Sequence, residues 1–169
     1  MDPNELGNNR DRIGFHSALP LEMRPEIEAL FFFHPRQTLL QEGIHAAVAR
    51  AGMPTITEQN GRVWIGVPSG KTQCLFACDE GIVPSRAIGV VLYSRPVVDR
   101  IWITHLAIDS AYAHGGDHAE LQVATRLVDR VMAIARSIKG ITRIQLPYRN
   151  ERYLRVTRPE STQSDQQSR

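Results

Sequence analysis

The densest group of side chains able to ligate or move a proton is His105, His114, Asp117 and His118, in a chain of 169 residues with 6 histidines. His114 and His118 stand four residues apart, a metal-ligand spacing on a helix. Gly115 and Gly116 between them remove the helical geometry that would aim both imidazoles at one ion, so no metal site is expected. Cys74 and Cys78 fall on one face of a predicted strand, too far apart for a disulfide and without the companions a zinc site needs; both are expected as buried thiols. The run Gly66-Val-Pro-Ser-Gly-Lys71-Thr72 ends like a phosphate-binding loop. Its leading glycine stands one residue too close to Gly70, and the run is expected as a hairpin loop. Arg149, Arg152, Arg155 and Arg158 recur every three residues near the C-terminus, with no nucleic-acid reader motif beside them, and are expected as a solvated tail.

The elements that must position these residues follow from hydrophobic periodicity. Residues 23–33 alternate apolar and acidic positions at helical spacing, and Pro35 suits the start of a second helix running to Ala51. Its stripe would be Leu39, Leu40, Ile44, Ala47, Val48 and Ala51, closed by Gly52 before Pro54. From Pro54 the period becomes two, giving strands over 55–57, 63–67, 73–78, 87–94 and 100–108. Asn60-Gly61 suits a tight hairpin, and Pro96 is expected to end a strand before Asp99 starts the next. These five strands read as one antiparallel meander. Residues 117–139 carry Leu121, Ala124, Val128, Val131, Met132 and Ala135 at helical spacing, with Leu127, Ile134 and Ile138 widening the face. Asp117 and Glu120 have the spacing of a capping box at its start. A strand over 141–147 then makes a right-handed crossover with parallel flanking strands.

Length and 42% hydrophobic content suit one domain with a self-sufficient core. Its expected limits are 23–148, between an N-terminal extension over 1–22 and a polar tail over 149–169. A formal net charge of +2 gives no long-range pull on nucleic acid or anionic membrane. No apolar run approaches the roughly 20 residues of a membrane span. The polar N-terminus lacks a secretory signal, so a cytoplasmic location is expected.

Two helices, an antiparallel meander, then strand, helix and parallel strand resemble the GNAT superfamily of acyl-CoA N-acyltransferases. The segment from Ile101 through Thr104-His105-Leu106-Ala107-Ile108-Asp109 to Tyr112 looks like that family's fourth strand and the turn before its phosphate loop. The resemblance implies an α/β fold with an α+β mixed sheet whose fourth and fifth strands splay apart. It also implies acetyl-CoA or another acyl-CoA as cofactor, its pantetheine adding to the exposed strand edge, with Leu106, Ala107 and Ile108 and residues 145–148 lining the gap. Ala124 fits the last small residue of the phosphate loop, while Gln122 replaces the central glycine and Ala119 the leading Gln or Arg. His114, Gly115 and Gly116 lie in an inserted run that could rebuild the loop. Asp117 and Glu120 there would repel a pyrophosphate, an effect His114 and His118 would offset only when protonated.

Acyl transfer to an amine needs a base and an acid for the leaving thiolate. Within the resemblance His105 would be the base, and Tyr148 or Tyr153 the acid; a structural His105 is the blander reading. Asn150 stands where the family often has a cofactor-contacting Asn. Trp102, in a region where some relatives carry a catalytic Glu, reads as core. The family continues with a further helix and two strands where this chain has a polar tail. The alternative expectation is a catalytically silent GNAT-fold component of an oligomer or a large particle such as a virion, with neighbouring chains against its termini. Neither reading names the amine.

Overall fold

A computed structural model of the chain describes residues 12–35, 37–68, 71–148 and 152–158. In chain order its elements are β1 (Ile13–His16), β2 (Leu19–Pro20), α1 (Arg24–Phe31), α2 (Gln41–Ala51), β3 (Thr55–Gln59), β4 (Arg62–Gly66), β5 (Thr72–Asp79), β6 (Arg86–Val97), β7 (Arg100–Ile108), α3 (Val123–Ser137), β8 (Arg143–Gln145) and β9 (Tyr153–Arg155). Six strands form a mixed sheet in the order β1-β5-β6-β7-β8-β9, and β2-β4-β3 form a smaller antiparallel sheet.

The large sheet is apolar on both faces because a layer covers each. Along β6, Ile88, Val91 and Tyr93 pack under α3 with Leu127, Val131 and Ala135. The intervening Ala87, Val90 and Leu92 pack the other way, against Ile27, Leu30 and Phe31 of α1 and Val63 and Ile65 of β4. Period-two alternation on a strand and period-3.6 alternation on two helices therefore specify three layers between them.

The expected single meander is divided. β5, β6 and β7 are antiparallel neighbours as expected, but the β3–β4 hairpin belongs to the second sheet. Two physical causes act at the break. β1 already occupies the outer edge of β5, with Ile13 opposite Asp79 and His16 opposite Phe76. Pro68, just beyond β4, has no N–H to continue a ladder. The stretch set apart in sequence before residue 23 thus supplies β1 to one sheet and β2 to the other. Cys74 ties the two sheets: its Sγ accepts from Ile65 N at 3.4 Å and donates to Ser17 O at 3.2 Å. Both cysteines are buried free thiols. Asn60 and Gly61 turn the β3–β4 hairpin with φ of 53° and 70°, the left-handed pair that such a dipeptide favours.

Three boundaries depart from sequence expectation. β6 runs through Pro96 to Val97 because the proline sits where the register with β7 shifts, between Ser94 and Val97, and no ladder bond is lost there. α2 begins at Gln41 instead of Pro35, after a 3-10 turn over Gln37–Leu40 with no side-chain cap at Leu40. The tighter turn carries Leu39 off the stripe, leaving it 81% exposed, and only Ala47 and Ala51 of α2 are fully buried. α3 begins at Val123 instead of Asp117, because Gln122 is left-handed at φ 48°, ψ 43°, and residues 119–121 form a separate 3-10 turn. The Asp117–Glu120 pair therefore does not cap α3. At the other end of α3, Arg158 donates from Nη2 to Ile138 O at 2.7 Å and Ile141 O at 3.2 Å, so one of the tail's arginines satisfies carbonyls instead of standing in solvent.

β7 and β8 are parallel neighbours joined through α3, but they pair only at Arg100 with Arg143, Ile101 with Ile144 and Trp102 with Gln145. Beyond Trp102 the strands part. β7 carries a bulge there, since Leu92 faces His105 and Tyr93 faces Ile103, which leaves Thr104 without an opposite residue. Such a bulge bends the strand and turns its side chains. Among the described residues no strand pairs with the β8 side of β7 from Ile103 to Ile108. Among the described residues no helix is long and apolar enough to cross a membrane.

Candidate functional site

Two cavities open on either side of the unpaired half of β7. One, of about 410 Å³, lies in the gap between β7 and β8 beside α3, with Leu106, Ala124, Val128, Leu146 and Pro147 among its walls. The other, of about 500 Å³, lies between α2 and β7, with Phe31, Phe32, Ile44, Val48, Ala107 and Ile108 among its walls, and His105 and Tyr148 also reach it. Leu106 lines both cavities.

Beside the shared Leu106, on the 500 Å³ cavity, stand His105 and Tyr148. His105 is 3% exposed on β7, and its Nδ1 lies 3.2 Å from Tyr148 Oη. Leu106 N donates to the same hydroxyl at 3.4 Å, so the strand's free amide is engaged by a phenol. The rings continue outward as a wall: His105 meets Phe31 edge-on at 5.5 Å, and Phe31 meets Phe32 edge-on at 5.1 Å. Nε2 of His105 is buried and has no hydrogen-bond partner among the described residues. A buried polar atom in that condition points to a missing ligand or water. Burial lowers the imidazole to about 4, which keeps it neutral at pH 7. Burial likewise raises the Tyr148 phenol to about 12, only partly opposed by the Leu106 amide, so it keeps its proton. Tyr148 reaches this position from a left-handed backbone at φ 58°, an uncommon conformation for a bulky residue and one found at sites where geometry is enforced by surroundings. Gly43 of α2 faces it, and a Cβ on Gly43 would stand 2.7 Å from Tyr148 Cβ.

Of the other sequence candidates, Ala107 and Ile108 line the apolar cavity, and Ala124 lines the gap at the start of α3. Tyr153 is elsewhere: the guanidinium groups of Arg100 and Arg143 each lie 5.3 Å from its ring centroid, and it lines neither cavity. Asn150 lies outside the described residues. Trp102, expected in the core, is half-buried under Arg50, whose guanidinium sits 4.8 Å from the ring centroid.

The inserted run holds His114, Gly115 and Gly116 away from both cavities and closes on itself. Gly116 N donates to Ala113 O at 2.9 Å, His118 N to Ala111 O at 2.8 Å, Leu121 N to His118 O at 3.1 Å and Gln122 N to Ala119 O at 3.1 Å. These amides would otherwise be the donors of an anion-binding loop. Gly116 is packed so closely that a Cβ would meet Ser110 O at 2.4 Å. His118 stacks on Tyr112 at 4.9 Å. Among the described residues no group of three or more His, Cys, Asp or Glu is placed to hold a metal ion.

The loop's anchor is a polar cluster that sequence reasoning did not identify. Asp79, fully buried at the end of β5, accepts from Arg12 Nε at 2.7 Å and Nη2 at 2.5 Å, from Tyr112 Oη at 2.6 Å and from Gly81 N at 2.9 Å. The Arg12 hydrogen bond is the main cause that lowers the Asp79 carboxyl to about 2. The available signal was an acid ending an apolar strand, which has few reasons to be buried without a cation.

No family model matches the chain. No curated protein and no solved structure matches it either.

Proposed function

We propose that the chain is an acyl-CoA-dependent N-acyltransferase built on a GNAT-like fold, and that its acceptor is an apolar amine carrying no charge at neutral pH, such as an aromatic amine. The observation that carries this reading is the half of β7 without a partner strand, flanked by two cavities that share Leu106, with the His105–Tyr148 pair beside that residue on the larger one. A two-substrate transfer needs this layout, one reactant entering from each side of a strand that offers main-chain groups to an extended partner.

The gap beside α3 fits the pantetheine arm and acyl group, with Leu106, Ala124, Val128 and Leu146 as contacts. The 110–122 loop is a poor cradle for a pyrophosphate, since the amides of Gly116, His118, Ala119, Leu121 and Gln122 are spent internally. An acyl-CoA would supply an activated acyl thioester. His105, neutral at pH 7, would take the proton that the attacking nitrogen loses. Tyr148 would hand its own proton to the departing sulfur. Their 3.2 Å contact then lets the imidazolium return a proton to the phenolate, restoring both groups.

The choice of acceptor follows from the walls. Among the described residues the 500 Å³ cavity has no carboxylate to receive an ammonium, and it is walled by rings and aliphatic chains. An imidazole at about 4 is also too weak a base to strip an alkylammonium. A volume within the roughly 300–1,000 Å³ of small-molecule sites suits a single ring system.

The test is calorimetric titration with acetyl-CoA and longer acyl-CoA thioesters, followed by mass analysis of products with 1-aminonaphthalene as acceptor. Binding and an amide product are expected. Absence of both, at millimolar thioester, would remove the transferase reading. The self-satisfied loop favours a second reading, a catalytically silent GNAT-like scaffold. That reading expects no thioester binding and an oligomer by light scattering.

A further inference from the structure

A third cavity, of about 660 Å³, lies at the β6–β7 end of the sheet, away from the gap beside α3. Its walls bring together four cations from four separate places: Arg50 in the last turn of α2, Lys71 before β5, Arg95 in β6 and Arg100 at the start of β7. Among the described residues none of these four makes an ion pair with a carboxylate; Arg50 lies over Trp102, Arg95 donates to Val98 O at 2.6 Å, and Arg100 has two long contacts of 3.4 Å to Gln145 and Tyr153. No Asp or Glu lines the cavity among the described residues. A chain whose formal net charge is only +2 has acids enough to neutralise such a group, so four unpaired cations on one cavity are a local concentration.

Two further observations point to a missing acceptor. Arg100 and Thr72 both line this cavity, and Nε of the one and Oγ1 of the other are buried without a hydrogen-bond partner among the described residues. Two orphaned donors beside four uncompensated cations are the inverse image of an anion with several oxygens. Lys71 and Thr72 are also the last two residues of the run that ends like a phosphate-binding loop.

We propose that this cavity is a binding site for a small organic di- or polyphosphate. Guanidinium forks match phosphate oxygens, and one monoanion would leave most of the four cations uncompensated. The site is separate from the gap proposed for the thioester, from which it shares no lining residue.

The experiment is isothermal titration of the full chain with inorganic tripolyphosphate, with sulfate and a single-stranded DNA oligonucleotide as comparators, at low and moderate salt. Tripolyphosphate is expected to bind at least tenfold more tightly than sulfate. Lys71→Gln and Arg95→Gln should each weaken it at least fivefold, whereas Arg130→Gln, whose guanidinium lies over Phe15, should leave it unchanged. Lys71 is exposed, so its variant keeps the test valid even where Arg100→Gln fails to fold. No binding, equal affinity for sulfate, or equal loss in the Arg130 variant would overturn the proposal. Tighter binding to the oligonucleotide, growing with its length, would overturn it in favour of a nucleic-acid surface. Titrating acetyl-CoA against protein saturated with tripolyphosphate completes the test: an unchanged affinity is expected, and full competition would show one shared site and end the claim of a separate one.

Discussion

The C-terminal half of β7 and the loop that follows it carry the same kinds of residue and treat them oppositely. On β7 the backbone lacks a partner strand among the described residues and the side chains are closed in: His105 is buried, a phenol covers the Leu106 amide, and His34 Nε2 meets Ile108 O at 2.7 Å. In the 110–122 loop much of the backbone is closed in while the candidate ligand is left out: several amides bond to carbonyls within the loop and Tyr112 and Leu121 anchor it in the core, while His114 is exposed. A reactive site needs the first arrangement, because a neutral, desolvated imidazole and free main-chain groups are available to a ligand without prior rearrangement. Residue type alone does not separate the two regions; the hydrogen-bond accounting does.

The largest effect on this contrast should come from cutting the loop's anchor. Asp79→Asn leaves Arg12 with half its pairing and weakens the Tyr112 bond, and is expected to cost about 3 kcal/mol in chemical denaturation, in the range for breaking one partner of a buried pair. If the loop were held by its own hydrogen bonds alone, stability would barely change. Next is the pH dependence of His105. Its folded value of about 4 lies below the unfolded value of roughly 6.5, so the unfolded chain binds more protons between them and stability falls as pH drops through that window. The expected loss is about 3 kcal/mol, absent in His105→Phe. Asp79, at about 2 when folded, adds a separate loss only below the ordinary carboxylate range, as pH falls toward 2. A wild-type profile flat from pH 6.5 to 4.5 would mean that His105 is hydrated and that the two regions differ little.

Gly116→Ala forces a Cβ to within 2.4 Å of Ser110 O, backbone that cannot swing aside, and should cost about 2 kcal/mol while opening the loop to amide exchange. Tyr148→Phe should move stability least, by about 1 kcal/mol, since one long hydrogen bond and one to an imidazole are lost. If the proposed acyl transfer takes place, the substitution should also lower its kcat by at least tenfold with little change in KM, which loss of a merely structural tyrosine would not do.

Much of the architecture was legible in the sequence because periodicity reports burial directly. The strands around Ile88–Val91 and Ile101–Ile103 and the stripe of Leu127, Val131 and Ala135 are local patterns, and the layers follow from them. The partition of strands between two sheets was not legible: nothing in residues 55–66 says that β1 already occupies the edge of β5. Leu39 misled because a 3-10 turn changes the period by which a stripe is counted. Within the site, His105 and Leu106 were reachable from the strand pattern. The pairing of His105 with Tyr148 was not, since it depends on a bulge at Thr104 and a left-handed Tyr148, both consequences of tertiary packing. The four cations of the third cavity are spread from Arg50 to Arg100 in sequence, and no window could have gathered them.

The outermost described strands of the large sheet, β1 and β9, are four and three residues long. Strands that brief present few unsatisfied main-chain groups along the rim, which discourages copies from zipping together by ladder extension. Ladder extension at these two rims is therefore disfavoured, and an added strand would find a longer open edge on β3 of the smaller sheet or on the second half of β7.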